Sequence, residues 1–257
     1  KTILEIMVKT KNWQKLIYIN NDAQKKKIIS QNTKSQYNAL AKYEIALIKE
    51  QASIREALDL LKEANKERPN FPPIVKKLVS LLIKNNEVTK AKKALATSWY
   101  NFPHQILFEE IIKIAEVSNI NVVNYVNKLT SSKSNEYESI IAKTKANIIE
   151  KKWDEAKNLL KTILTSRPNK TICLLMSEIE LGISGNSQKA NSWISRSNLG
   201  EPEKSWICKE YGSIQDNWTS ININGLFDSL EWTWPKNNFN DNSKEISNAI
   251  PDIIGTR

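Results

Sequence analysis

The chain has 257 residues, 40% hydrophobic and 26% charged, an ordinary balance for a soluble domain with room for several helical units. Glycine is scarce, and none occurs before Gly182, which excludes a nucleotide-binding glycine loop and a series of tight β-hairpins over most of the length. The net charge of +10 rests almost wholly on lysine; arginine, the better fork for phosphates and base edges, stands only at 55, 68, 167, 196 and 257, so nucleic acid is not an expected partner.

Residues 1–33 read as a short helix and a longer one. Ile3, Leu4 and Met7, then Trp13, Leu16 and Ile17, recur at helical spacing, and Asn12-Trp13 starts the second helix. Residues 34–68 form the first clear hairpin, with Ala39, Leu40, Tyr43, Ala46 and Leu47 on its first helix. Ser53 caps the second helix, with Glu56 three residues on as a capping box. Residues 69–103 form the next hairpin. Pro72 and Pro73 open it, where a missing N–H costs nothing, and Asn85-Asn86 supply its turn. Residues 104–134 are helical but irregular, with Tyr125 where a small residue is expected and Ser131 to Asn135 as a loop. Residues 136–168 restore the pattern, and 169–198 hold a last hairpin with Gly182 and Gly185 at its turn.

One phrase repeats along this array. Ala57, Leu61, Ala64 and Pro69 return 34 residues later as Ala91, Leu95, Ser98 and Pro103, and again as Ala156, Leu160, Ile163 and Pro168. This spacing and period are the signature of tetratricopeptide repeats. The small residue lets two helices approach, the leucine fills their seam, and the proline ends the second helix. One hairpin cannot bury its apolar face alone, so stacked hairpins share a core. The expected fold is all-α: a tetratricopeptide-repeat helical solenoid over 34–198, preceded by the helical segment 1–33.

Composition changes after residue 198. Trp193, Trp206, Trp218, Trp232 and Trp234 cluster, and Gly212 and Gly225 appear among alternating apolar residues. A small tryptophan-rich, β-like knuckle is expected over 199–235. Residues 236–257, rich in Asn, Asp and Ser, are expected to be a disordered tail. The two cysteines suggest no disulfide framework, and no run approaches the 18 apolar residues of a membrane span. Because the sequence opens on Lys1, a targeting segment upstream is expected.

Several phrases resemble the HemY family in collinear order across roughly residues 35–235. They are Trp99 with Pro103-His104; Trp153-Asp154-Glu155-Ala156-Lys157; Cys173 through Glu180; Gly185-Asn186; Trp193 through Ser197; and Phe227-Asp228-Ser229-Leu230-Glu231-Trp232. The resemblance implies a tetratricopeptide scaffold associated with late haem synthesis. It implies anchorage in the bacterial inner membrane by a preceding segment, with the repeats facing the cytoplasm and haem-pathway enzymes among the protein partners. Residues 206–225 also resemble the rubredoxin-like knuckle of related proteins that regulate lipopolysaccharide assembly. Of that motif's four ligand positions only Cys208 survives; the others read Tyr211, Ile221 and Asn224. A tetrahedral zinc site needs four N or S ligands, so Cys208 reads as a relic and no cofactor or metal is expected.

His104, the single histidine, has two readings: an axial haem ligand, as the resemblance allows, or a partly buried residue at a helix start. Cys173, in the apolar run Ile172 to Met176, reads as a core thiol. Glu109-Glu110 and Glu178-Glu180 read as solvated helix faces, and no acid–base constellation is present, so the chain is not expected to be an enzyme. The first helices of stacked hairpins line the concave groove. Asn38, Lys42, Lys49, Lys76, Ser80 and Lys145 fall at positions that face it, either as solvated side chains or as a surface for an acidic partner.

Overall fold

The structure, a computed structural model, describes residues 2–185 and 187–235. The tail at 236–257 lies outside them. Twelve α-helices among these residues pair into six hairpins: α1 (Thr2–Lys9) with α2 (Trp13–Lys25), α3 (Gln31–Lys49) with α4 (Ile54–Glu67), α5 (Pro72–Lys84) with α6 (Val88–Asn101), α7 (Phe108–Val117) with α8 (Val122–Leu129), α9 (Tyr137–Ile149) with α10 (Trp153–Lys161), and α11 (Lys170–Ser184) with α12 (Ser187–Ser197). A sheet of β1 (Ser205–Cys208), β2 (Ile214–Gln215) and β3 (Leu230–Thr233) closes the described chain. The fold is a tetratricopeptide-repeat solenoid with a small C-terminal knuckle.

The seams are built by the repeated phrase. Ala57, Ala91 and Ala156 are fully buried, as are Leu61, Leu95 and Leu160 beside them. Hairpins two to four share one core with Ala142 and Ala146 of α9, and α9 to α11 share a second, with Ile141 and Ile148 on α9 facing it. Trp99 is fully buried, and its Nε1 donates to Ser139 Oγ at 3.2 Å, tying α6 to α9 past the irregular fourth hairpin. Tyr125 is buried in α8 where the pattern asks for a small residue.

A local device that composition does not reveal ends the first helix of several hairpins. Lys11, Asn86, Asn119 and Lys151 stand at left-handed φ of 52°, 58°, 50° and 56°. In each case the next N–H reaches back five residues: Asn12 to Met7 O, Glu87 to Leu82 O, Ile120 to Ala115 O and Lys152 to Asn147 O, at 2.8–2.9 Å. These are Schellman closures, which satisfy orphan carbonyls at the helix end. Glycine is the usual occupant, and it is absent from these four closures, as from the one at Lys27 (φ 58°) that ends α2, where Ile28 N–H reaches Ala23 O at 2.8 Å.

Three local expectations are corrected. Gly182 lies inside α11, not at the turn; a Cβ there would stand 2.5 Å from carbons of the Trp153 indole, so the glycine admits that ring. The turn conformation belongs to Gly185, at φ 61°. Ser131–Lys133 is a short 3-10 turn rather than a loop. The capping box is half formed: Glu56 N–H donates to Ser53 Oγ at 3.3 Å, but the Glu56 carboxylate turns to Lys49 at 2.8 Å.

Candidate functional site

The knuckle decides which part of the solenoid is open. Its sheet runs in the order β2-β1-β3, all antiparallel, with Trp206 opposite Trp232 and Ile207 opposite Ile214. Buried Cys208 accepts a hydrogen bond from Asn222 Nδ2 at 3.2 Å. Asn222 Oδ1 in turn accepts the N–H groups of Asn224 and Leu226, each at 2.9 Å. An amide therefore performs the inward bonding that a metal and thiolates would perform in a ligated knuckle. One thiol faced by an amide that donates to it does not fit zinc. Sequence spacing points to Ile221 and Asn224 as the second pair; the side chain facing Cys208 is that of Asn222.

This module packs against the first three hairpins, far from it in sequence. Phe227 lies 5.7 Å from the rings of both Trp13 and Tyr37. Trp218 meets Tyr43 and Phe71 edge-on at 5.4 and 5.3 Å. Asp228, nearly buried, pairs with Arg68 at 2.8 Å, and the Arg68 guanidinium sits 3.7 Å over the Phe71 ring. Ser220 Oγ donates to Glu44 at 2.6 Å. Trp218 and Trp232 thus serve as internal packing, not as an apolar patch for a partner. Removal of the knuckle uncovers aromatic surface on the first hairpins rather than on the last one.

His104 lies in this seam. It is 1% exposed, with ring centroids of Trp232, Trp206 and Phe102 at 4.4, 5.5 and 6.1 Å. Its Nδ1 accepts the N–H of Ile106 at 3.1 Å, while Nε2 has no partner. Burial, helped by nearby Lys204, pulls its pKa down to about 4, so the ring is neutral. The tryptophans enclose the ring in this arrangement, so an iron would reach Nε2 only after they leave.

The groove candidates separate. Asn38 is buried, not groove-facing. Its Oδ1 accepts from Asn20 Nδ2 and its Nδ2 donates to Asn21, both at 3.1 Å, so it clamps α2 to α3. Lys42 bridges Glu63 and Glu67 at 2.8 and 3.0 Å, which turns it toward α4. Lys49 pairs with Glu56, and Lys76 with Glu109, each at 2.8 Å. Lys77 holds Glu50 as well, at 2.5 Å. Three of the groove lysines thus already hold carboxylates of their own chain. Ser80 is partly buried on α5.

Lys145 differs. It has no salt bridge among the described residues, and its Nζ lies 5.5 Å from the Phe108 ring centroid. Burial lowers its pKa against the pull of Glu138, Glu178 and Glu203. Glu138, two turns earlier on the same face of α9, is pushed up to about 7 by burial, and one of its carboxylate oxygens has no hydrogen-bond partner. Beside them the first helices expose apolar side chains: Ile149 on α9 at 47%, and Leu174 and Leu181 on α11 at 44% and 50%. Leu174, Glu178 and Leu181 share one face by their i, i+4, i+7 spacing. Sequence reasoning finds Lys145 but misses the leucines, because leucine in a helix reads as core until its neighbours are known.

No cluster of three or more His, Cys, Asp or Glu side chains arranged to hold a metal occurs among the described residues, and no helix there is long and apolar enough to cross a membrane. A family model described as tetratricopeptide repeat matches residues 50–108, from the end of α3 to the start of α7. No curated protein matches the chain. The match supports a tetratricopeptide-repeat protein and hence a scaffold for protein–protein interaction.

Proposed function

We propose that this protein is a non-catalytic scaffold that holds a protein partner on the open, C-terminal part of its inner face. The observation that carries the reading is the contrast along that face. The first hairpins are covered by the knuckle, whereas Ile149, Leu174 and Leu181 stand half exposed around the unbridged Lys145. Apolar anchors around a charge are the composition of a protein-binding patch.

The resemblance to the HemY family supplies the setting: a partner from late haem synthesis, at the cytoplasmic side of the bacterial inner membrane, with anchorage through a segment outside this chain. A photocrosslinking residue at Ile149, followed by identification of the captured protein in cells, tests both levels. Capture lost in Leu174→Glu/Leu181→Glu supports the surface, and a captured haem-pathway enzyme supports the setting. A captured lipopolysaccharide-assembly protein favours that pathway instead. The porphyrin-carrier alternative is checked by titrating haemin into the purified protein; a Soret shift abolished by His104→Gln favours it.

A further inference from the structure

The turn edge of the solenoid repeats a residue type as well as a conformation. Val117, Ile149 and Ile183 each stand two positions before the left-handed residue that closes a hairpin's first helix, ahead of Asn119, Lys151 and Gly185. All three are exposed. The same position in the first and third hairpins holds Lys9 and Lys84. Lysine suits a helix C-terminus by its charge, whereas an aliphatic side chain left in water there gains nothing. Exposed Ile48 ends α3, but it stands beyond the Lys84 rung, so a continuous apolar row belongs to the last three hairpins. These rungs are neighbours. Ile120, also exposed, and Ile149 line one groove of about 270 Å³ with Ile112, Ala115 and Val122. Gly182 of α11 lies against the Trp153 indole, and Glu180 pairs with Lys157 of α10 at 2.6 Å, which sets the sixth turn beside the fifth. Charge decides what covers the row. The chain carries +10, so two copies repel unless they meet where the signs balance. This edge is such a place. Glu116, Glu150, Lys151 and Lys152 are exposed beside the rungs, and none of the four has a salt bridge among the described residues. Asp154 and Glu155 occupy the first turn of α10, where they complement its dipole. A balanced edge has no attraction for an anionic membrane, but it is complementary to the same edge turned round.

We infer that this edge is a two-fold interface between copies of the chain, with its axis beside Ile149. Ile149 then meets its own counterpart, and Ile183 of each copy seats over the groove between Ile120 and Ile149 of the other. Glu150 of each copy faces Lys151 of the other. A two-fold interface needs one patch that is complementary to itself reversed, which a row of aliphatic rungs with balanced charges provides. The edge shares Ile149 with the inner face proposed above but neither Leu174 nor Leu181. The two readings fail separately, since one is read from the mass of the purified chain and the other from capture in cells.

The test reads the mass of the purified full chain by light scattering across the micromolar range. The expected result is a rise from 29.4 kDa toward twice that mass, reversed on dilution. Val117→Glu/Ile183→Glu, at two exposed positions, should hold the mass at 29.4 kDa with an unchanged helical melting curve. Glu150→Lys should weaken the dimer about tenfold, because each altered contact occurs twice, and Glu150→Lys/Lys151→Glu should restore it. Cys173 and Cys208 are both buried, so Ile149→Cys should link two copies through the new thiol under mild oxidation, as a residue beside the axis must. A mass of 29.4 kDa at every concentration overturns the inference. A foreign protein captured in cells by a photocrosslinking residue at Val117 then assigns the edge to a different partner. Association that survives Val117→Glu/Ile183→Glu overturns it too, as does growth beyond two copies or failure of the Ile149→Cys thiols to link.

Discussion

The second, third and fifth hairpins are assembled from the same seam, yet the inner faces of the first three hairpins and of the last two meet different fates. In the first group the inward side chains are aromatic. Trp13, Tyr37, Tyr43 and Phe71 receive Trp218 and Phe227, and the acid Asp228 finds Arg68. In the second group they are aliphatic, with Ile149, Leu174 and Leu181 half exposed. Repetition fixes how helices pair, because a small residue and a leucine at set positions satisfy any such seam. It does not fix what covers the inner face, which depends on the residues the repeat leaves free.

The comparison is most exposed to single truncations. Phe227→Ala should lower stability by about 3 kcal/mol in denaturant unfolding, since it removes a ring packed on two others. Leu181→Ala should change stability by less than about 0.5 kcal/mol, as for a surface site. Equal costs would break the distinction between a closed and an open half.

Next in size are two buried titrations of opposite sign. His104 has a folded pKa of about 4 against a usual 6.5, so its stabilising neutral form is retained above 6.5 and its contribution is lost as pH falls toward 4. Glu138 has a folded pKa of about 7 against a usual 4.5, so its contribution is complete below 4.5 and lost as pH rises through 7. Each spans up to about 3 kcal/mol at 1.36 kcal/mol per unit, and the slopes oppose one another between 4.5 and 6.5. Melting of Glu138→Gln should therefore show stability rising from pH 4 to 6.5, and of His104→Gln falling from 4.5 to 7. Parallel profiles in the two variants would remove the assignment.

The shared seam offers a control. Ala91→Leu and Ala156→Leu should each cost about 1–3 kcal/mol by overpacking, with no difference between halves. A cost confined to Ala91 would show that the later hairpins are packed less tightly. The smallest expected effect is a gain. Lys151→Gly should stabilise by about 0.5 kcal/mol, because glycine escapes the left-handed penalty of roughly 1–2 kcal/mol while losing part of that to backbone entropy. Asn86→Gly should gain less, since asparagine tolerates the conformation better. Thermal shifts of the two variants measured side by side decide the order.

The array of hairpins was legible because Ala57, Ala91 and Ala156 are spaced by a period that geometry imposes. The knuckle was legible from its tryptophans and glycines. Its docking was not: Trp218 and Phe227 carry no local sign that their partners lie near the other end of the chain. The lysines misled for a related reason. Position on a helix places Lys42, Lys49 and Lys76 near a face, but the carboxylates that neutralise them come from other turns and other helices. Asn38 likewise looked polar and therefore exposed, while Asn20 and Asn21 satisfy it in the interior.

The contact between Arg68 and Asp228 joins residues 160 positions apart. At ordinary translation rates of about 5–20 residues per second, the first hairpins leave the ribosome roughly 10–30 s before the segment that covers them. During that interval Trp13, Tyr37, Tyr43 and Phe71 lack the rings they finally pack against. The nascent chain is then an open ladder of hairpins with a sticky aromatic flank, and only synthesis of the segment holding Trp218, Phe227 and Asp228 ties the knuckle back to the first hairpins. Unlike a plain solenoid, whose units melt nearest neighbour by nearest neighbour, this one is closed across 160 residues by its knuckle.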